Sequence, residues 1–285
     1  MTDALPLLGF GLPVAGSWAT PDTLRHVARR SEELGYASLW TFQRVLHPVG
    51  AELDPAHRAV LDPVVALAQA AAHTERIGLG TATICAPFTA PALLAKAMTA
   101  LDVVSGGRLT VGLGSGWLPQ EYAAAGVPFA RRGARMEEYL RCLHALWTQD
   151  PVEFAGEFYT VPRSHVGPPP VQRPHPPVLL GGTAPAALRR AGRLAQGWIA
   201  GSQHDHTRIS ADIATVRDGA RAAGRDPDAL RILVRLLPRE TREQQLDDLA
   251  ALRAQGVTEA FFDLNLSPHV DVDYAERVLD AFAPG

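Results

Sequence analysis

Cysteine is scarce in this sequence, and neither sign of charge dominates. The 285 residues include two cysteines, Cys85 and Cys142, which are far apart and form no Cys-x-x-Cys pattern. A disulfide framework is therefore not expected, and a reducing cytoplasm is the natural location. The formal net charge is -3, so nothing indicates a polyanionic partner such as nucleic acid.

Long hydrophobic runs are also missing. No apolar run approaches membrane-spanning length, and the first residues, MTDALPLLGFGLP, lack a basic region followed by an apolar core. We therefore expect a cytoplasmic protein with no membrane partner. Hydrophobic residues still make up 47% of the chain, which is enough for a sizeable core.

The glycine-rich stretch in the first half of the chain matches neither of the common nucleotide-binding fingerprints. LDVVSGGRLTVGLGSGW, residues 101–117, surrounds one short apolar segment with small residues. Its GLGSG is not followed by Lys and Ser or Thr, so it is not a P-loop, and its spacing and Pro119 do not fit the dinucleotide fingerprint. Glycines beside a strand usually mark a bulge, a turn or a ligand against the backbone.

The chain alternates strand-like and helix-like segments. Short apolar runs predict eight strands, at 7–12, 37–42, 77–84, 108–113, 177–182, 197–201, 231–237 and 259–265. A helix-like segment follows each, with starts at Pro21, Pro63 and Pro91 and ranges of 132–148, 185–194, 207–223, 242–255 and 272–282.

Eight such units predict an α/β fold, a (β/α)8 TIM barrel, formed by a single domain over residues 1–285. A proline-rich insertion at about 150–176, between the fourth and fifth strands, contains a small hairpin around Gly156. In such barrels the active site lies at the carboxyl ends of the strands, so residues at those ends are the candidates for function.

The predicted strand ends are poor in carboxylates. Asp263, Glu121 and Asp205 are the acidic residues near them, which gives no facing pair for a glycosidase. The compact His204-Asp205-His206 segment is better explained as a polar turn or helix cap than as a metal site. No serine lies in a nucleophile elbow, and no metal site is predicted.

The same strand ends are rich in small residues and exposed backbone amides. GLGSGW follows the fourth strand and GGTAP follows the fifth, and such turns bind phosphate well, especially before a helix. Trp40, Phe42 and Trp117 lie at the same rim and could flank a flat ring. Each feature alone has a structural explanation, but together they favour a phosphorylated, flat organic cofactor that performs the chemistry.

Several segments resemble the luciferase-like monooxygenase superfamily. The resemblance covers almost the whole chain in order. It is carried by residues 101–117 with Gly126-Val127, Phe129 and the Arg131-Arg132-Gly133 turn, and by SEELGYASLW, TERIGLGTATI and VLLGGTAPAALRRAGRLAQGW. Members have a (β/α)8 fold and use reduced FMN or the deazaflavin coenzyme F420. The sequence looks most like the actinobacterial, F420-dependent branch, and the family implies a homodimer.

The resemblance also implies roles for single positions. Ser115, Gly116, Gly181, Gly182 and Thr183 match positions that hold the cofactor phosphate. The Ala82-Thr83 bond matches the place where many members have a non-prolyl cis peptide behind the ring. Trp40 and Thr41 match the strand-two end near the reactive ring.

The sequence departs from the family's sugar-phosphate dehydrogenases. Those enzymes have Asp-His at the second strand end and Glu after the strand-four glycines, where this chain has Trp40, Thr41 and Trp117. Without that acid and base, we expect hydride transfer between F420 and a small molecule with an activated C=C or C=N bond. The alternatives are an FMN-dependent monooxygenase with a partner reductase, a non-catalytic flavin-binding barrel, and a metal hydrolase on the same fold.

Overall fold

Eight parallel strands form a closed barrel in the computed structural model, which describes residues 5–201, 205–267 and 270–284. The ring consists of β1 (Leu7–Gly11), β2 (Ser38–Thr41), β3 (Gly78–Thr81), β5 (Leu109–Gly114), β8 (Val178–Gly181), β9 (Gly197–Ala200), β10 (Arg231–Leu236) and β11 (Glu259–Phe262). The pairing of β3 with β5 closes it, with Leu79 opposite Leu109. The predicted (β/α)8 fold is therefore confirmed.

The third predicted strand is interrupted. It was expected to continue to residue 84, but β3 ends at Thr81, and a separate two-residue strand, β4 (Ile84–Cys85), pairs with β5 outside the ring. The Ala82–Thr83 peptide between them is cis, as the family resemblance predicted.

The helices lie close to their predicted bounds. They are α1 (Pro21–Glu33), α2 (Pro63–Ala72), α3 (Pro91–Val104), α4 (Pro119–Ala124), α5 (Arg132–Thr148), α6 (Pro185–Leu194), α7 (Ile209–Ala222), α8 (Arg242–Ala254) and α9 (Val272–Ala281). Side chains of Thr20, Asp62, Thr241 and Asp271 cap four of them. The short α4 was not predicted, although Pro119 is a favourable first residue for a helix. Within the described residues, no helix is both long and apolar enough to span a membrane.

The predicted insertion contains the expected hairpin, β6 (Val152–Ala155) with β7 (Thr160–Ser164). The buried Glu138 carboxylate on α5 accepts hydrogen bonds from the amides of Glu157, Phe158 and Tyr159, at 2.7–2.9 Å. A β-carbon on Gly156 would overlap that carboxylate. Glycine at the hairpin turn therefore lets the insertion close onto the barrel helix.

The barrel interior is filled by a compact apolar layer: Trp40, Ala82, Leu179, Ile199, Leu233 and Phe261. The Trp40 and Phe261 rings stack with centroids 5.6 Å apart. β-Carbons on Gly9 and Gly80 would meet the Trp40 ring, and one on Gly112 would lie 2.8 Å from Ile199 Cδ1. Glycines inside the strands thus make room for this layer.

Candidate functional site

The two glycine turns selected from the sequence lie side by side. β5 and β8 are neighbours, with Leu113 opposite Leu180, so both turns leave the barrel at the same place. The Thr83 side chain lies between them: β-carbons on Gly114 and Gly181 would stand 2.8 Å from its Oγ1 and 3.2 Å from its Cγ2. Two distant segments and the Ala82–Thr83 bond therefore share one rim.

The turn at Gly116 rests on buried side chains. Gly116 has a φ of +70°, which favours glycine, and a β-carbon there would be 2.5 Å from Cys85 Sγ. The Tyr122 hydroxyl donates a hydrogen bond to the Ser115 carbonyl oxygen. Burial raises the pKa of the Cys85 thiol, so this cysteine is a packing group beneath the turn.

The start of α6 has no side-chain cap. Ala184 is the N-cap residue and Pro185 follows it, while Gly182 has a φ of +128° and Thr183 is exposed. The Trp198 indole donates a hydrogen bond of 2.8 Å to the Gly182 carbonyl oxygen. The Thr183 side chain therefore does not cap α6. The backbone amides at an uncapped helix start are favourable for binding an anion.

The two residues predicted at the end of strand two are buried. Trp40 is 1% exposed in the interior layer, and its indole donates to Ser38 Oγ at 2.8 Å. The Thr41 hydroxyl faces the Gly80 carbonyl oxygen at 3.4 Å. Trp40 thus lies with Ala82 in the floor below the mouth of the barrel.

The layer above this floor is asymmetric. Side chains two residues apart on a strand point to the same face, so Gly181, Gly201, Arg235 and Asp263 follow the interior residues Leu179, Ile199, Leu233 and Phe261. Among the described residues, β8 and β9 therefore contribute no side chain beyond glycine to this layer. Polar side chains from the neighbouring β10 and from the end of β11 occupy the adjoining part of this layer.

Arg235 and Asp263 form an ion pair in that polar part of the layer. Their side chains are 10% and 3% exposed. The Arg235 guanidinium carbon lies 4.8 Å from the centre of the Phe42 ring. Asp263 is also fixed by Asn265, whose backbone and side-chain amides donate to its Oδ1 at 2.9 and 2.7 Å.

A second buried ion pair holds the loop after β2. Arg44 donates to Glu121 Oε2 at 2.9 Å, and the Val45 amide donates to Glu121 Oε1 at 2.7 Å. The Arg44 guanidinium also lies 5.1 Å from the centre of the Trp117 ring, which is 58% exposed. Trp117 therefore stands at the rim as predicted, and Glu121 orders the neighbouring loop.

His57, from a short 3-10 turn in the same loop, packs edge-on against Phe42 at 5.9 Å. Burial lowers its pKa, and Arg44, Arg235 and His47 lower it further, whereas Asp54 raises it. The loop thus places the His57 imidazole near Arg44 and Arg235, the two arginines of the ion pairs.

The sequence did not single out Arg235, His57 or either ion pair. Asp263 and Glu121 were noted only as isolated carboxylates, since no motif or spacing connects them with their arginines. His204 lies outside the described residues, as does the side chain of His206. Asp205 accepts hydrogen bonds from the amide and hydroxyl of Thr207, as a polar turn would require. Among the described residues, no group of three His, Cys, Asp or Glu residues could hold a metal ion.

The sequence matches the family model for luciferase-like monooxygenases over residues 8–279. The chain belongs to this family. Members named among its relatives and structural neighbours are F420- or flavin-dependent oxidoreductases and monooxygenases, and we conclude that this family member is an oxidoreductase.

Three relatives show the range of the family. An uncharacterized protein from Mycobacterium tuberculosis is 36% identical over 83% of this chain and 82% of its own length. An FMNH(2)-dependent dimethylsulfone monooxygenase from Pseudomonas putida is 32% identical over 84% of this chain and 64% of its own. An F420-dependent glucose-6-phosphate dehydrogenase from Nakamurella multipartita is 30% identical, over 81% and 67%.

Solved structures share the fold at lower identity. An F420-dependent secondary alcohol dehydrogenase has a TM-score of 0.83 and 17% identity, covering 98% of each chain. A monooxygenase from Streptomyces bottropensis has a TM-score of 0.80 and 23% identity, covering 97% of each. These similarities show the barrel fold. They do not distinguish F420 from FMN as the cofactor.

Proposed function

We propose that this protein is an F420-dependent oxidoreductase that transfers a hydride between the deazaflavin and a small molecule with an activated C=C or C=N bond. The observation that carries the proposal is the meeting of the β5 and β8 turns beside the uncapped start of α6. Ser115, Gly116, Gly181, Gly182 and Thr183 would hold the cofactor phosphate there. The Ala82–Thr83 cis peptide would lie behind the flat ring.

The carboxylates at the mouth support hydride transfer without a strong general base. Glu121 is paired with Arg44 and Asp263 with Arg235, so neither is a free acid or base as a sugar oxidation would need. Bound F420 supplies or accepts the hydride. The residues of this chain bind the cofactor, position the substrate and exclude water.

A second candidate function is an FMN-dependent monooxygenase. The 32% identity to the dimethylsulfone monooxygenase favours it, and it would require a partner reductase. Both functions fit a cytoplasmic homodimer, which we propose from the family alone.

Fluorescence titration of the purified protein with F420 and with FMN tests the cofactor. Tight binding of F420 and weak binding of FMN is expected, and the reverse would favour the monooxygenase. The variant Thr183→Val should weaken binding of the preferred cofactor, whereas Thr207→Val, at the start of another helix segment, should not. Equal effects of both variants would contradict the proposed phosphate site.

A further inference from the structure

Two arginines at the mouth have donor atoms without partners. Within the described chain, the buried Nε atoms of Arg44 and Arg235 form no hydrogen bond, and neither do Nε2 of His47 and Nδ1 of His57. A buried donor left unpaired costs free energy, so such a group usually meets a ligand or water. Two guanidinium donors and two imidazole nitrogens, from the loop after β2 and from β10, therefore mark a polar site.

Arg235 is the best placed of these groups for contact with a substrate. It lies one interior layer above Leu233 and Phe261, at the carboxyl end of β10. Phe42 packs against the guanidinium, and Asp263 fixes it in place. The guanidinium is therefore a fixed donor group at the end of the barrel where the glycine turns also lie.

The charges around the site balance. Arg235 is paired with Asp263 and Arg44 with Glu121, and the exposed Asp54 offsets part of the effect of the arginines on His57. A carboxylate or phosphate would therefore add a net negative charge to a balanced, buried cluster, which is costly. A neutral oxygen acceptor satisfies the free donors without that cost.

We propose that Arg235 is a catalytic residue that binds the carbonyl oxygen of a neutral α,β-unsaturated ketone or aldehyde. The inference rests on the proposed function for its reductant. The β-carbon of the substrate accepts the hydride that reduced F420 supplies, and the π electrons of the C=C bond move toward the carbonyl oxygen. Arg235 stabilises the resulting enolate oxygen. The α-carbon then takes a proton from water, which leaves a saturated carbonyl product and oxidised F420.

Binding to the full-length protein tests this role apart from turnover. The probes are 2-cyclohexenone, cyclohexene, which has no acceptor, and 1-cyclohexene-1-carboxylate, which is anionic. Dissociation constants come from quenching of tryptophan fluorescence. Arg235→Lys keeps a positive charge opposite Asp263 but loses Nε and the planar fork, so it should weaken enone binding about tenfold and leave cyclohexene binding within about twofold.

The double variant R235Q/D263N removes the ion pair without leaving a buried charge, and R231Q/E259Q is its matched control. Arg231 and Glu259 form a bidentate pair on the same two strands at the other end of the barrel. The first double variant should lose enone affinity, and the control should retain it. Equal losses for enone and cyclohexene, or unchanged enone binding, would overturn the proposal. Arg235-dependent binding of the carboxylate alone would overturn the neutral class.

Cofactor binding distinguishes a failure of the proposed function from a failure of the role inferred for Arg235. If F420 does not bind but enone binding still depends on Arg235, the proposed function fails and the carbonyl site stands. If F420 binds and is oxidised by other substrates while Arg235 variants bind enone normally, the function stands and this inference fails.

Discussion

The Sγ atom of Cys85 lies 2.5 Å from the point where a β-carbon on Gly116 would stand. Gly116 also has a φ of +70°, so alanine there meets both a backbone penalty and a side-chain overlap. We expect Gly116→Ala to cost roughly 2–4 kcal/mol of unfolding free energy and to weaken cofactor binding. Chemical denaturation and a cofactor titration measure the two effects.

Gly126→Ala separates the two causes. Gly126 has a φ of +68°, and no atom in the described part of the chain lies within 4 Å of its β-carbon position, so alanine there meets the backbone penalty alone. Adding Cys85→Ala to Gly116→Ala should recover part of the lost stability. If Gly126→Ala costs as much as Gly116→Ala, contact with Cys85 is not the reason for glycine at the turn.

Trp40 gives a second prediction, because its ring fills the space left by Gly80. A β-carbon on Gly80 would overlap that ring, and overpacking a core costs roughly 1–3 kcal/mol. Gly80→Ala should therefore lower the free energy of unfolding by that amount. Gly201→Ala, where no atom of the described residues lies within 4 Å, should cost clearly less. Equal costs, measured by denaturant unfolding, would contradict the interior packing of Trp40.

The barrel could be predicted because its signals are local. Apolar runs of strand length predict the bounds of most strands of the ring. Prolines predict the starts of α1, α2, α3 and α6. The third strand was predicted too long, since the apolar run continues through Ala82 and Thr83 and nothing in its hydrophobicity shows that the pairing is interrupted there.

The polar half of the mouth could not be predicted, because it depends on contacts between distant segments. Arg235 reads as an ordinary charged residue in a strand, and only the register of β10 and β11 places it beside Asp263. Similarly, the sequence does not show that the Trp40 ring stacks on Phe261 and fills the space left by Gly80. One strand residue decides whether a side chain fills the floor or faces the mouth, and composition does not show which.

The buried pair of Arg44 and Glu121 gives a third prediction. Glu121→Gln removes the charge opposite a buried guanidinium, and breaking such a pair costs about 3–5 kcal/mol. It should also loosen the loop, because the Val45 amide donates to the same carboxylate. Hydrogen exchange at Val45 and denaturant unfolding measure these effects.

A double-mutant cycle supplies the control for that pair. Arg44→Gln with Glu121→Gln leaves no uncompensated charge, so the double variant should be more stable than Glu121→Gln alone. Additive losses from the two single variants would contradict a direct interaction between the side chains.

The pH dependence of stability gives a fourth prediction, through His57 and His175. Burial lowers the pKa of each below the ordinary 6.5. As the pH falls below 6.5, the unfolded chain therefore takes up protons that the folded chain does not. The free energy of unfolding should be greatest above pH 6.5 and should fall as the pH is lowered toward the folded-state pKa values.

Single variants assign this dependence to its sources. His57→Asn and His175→Asn should each reduce the loss of stability between pH 7 and roughly 5, above the range in which most carboxylates titrate. The reductions should add, because His57 packs against Phe42 at the mouth, whereas His175 lies in the insertion and stacks on Trp147 of α5. Denaturant midpoints at several pH values provide the measurement. An unchanged slope in both variants would mean that other groups dominate the dependence. If only His57→Asn reduces the loss of stability at low pH, the dependence comes from the mouth of the barrel. There Arg44 and Arg235 disfavour a positive charge on His57.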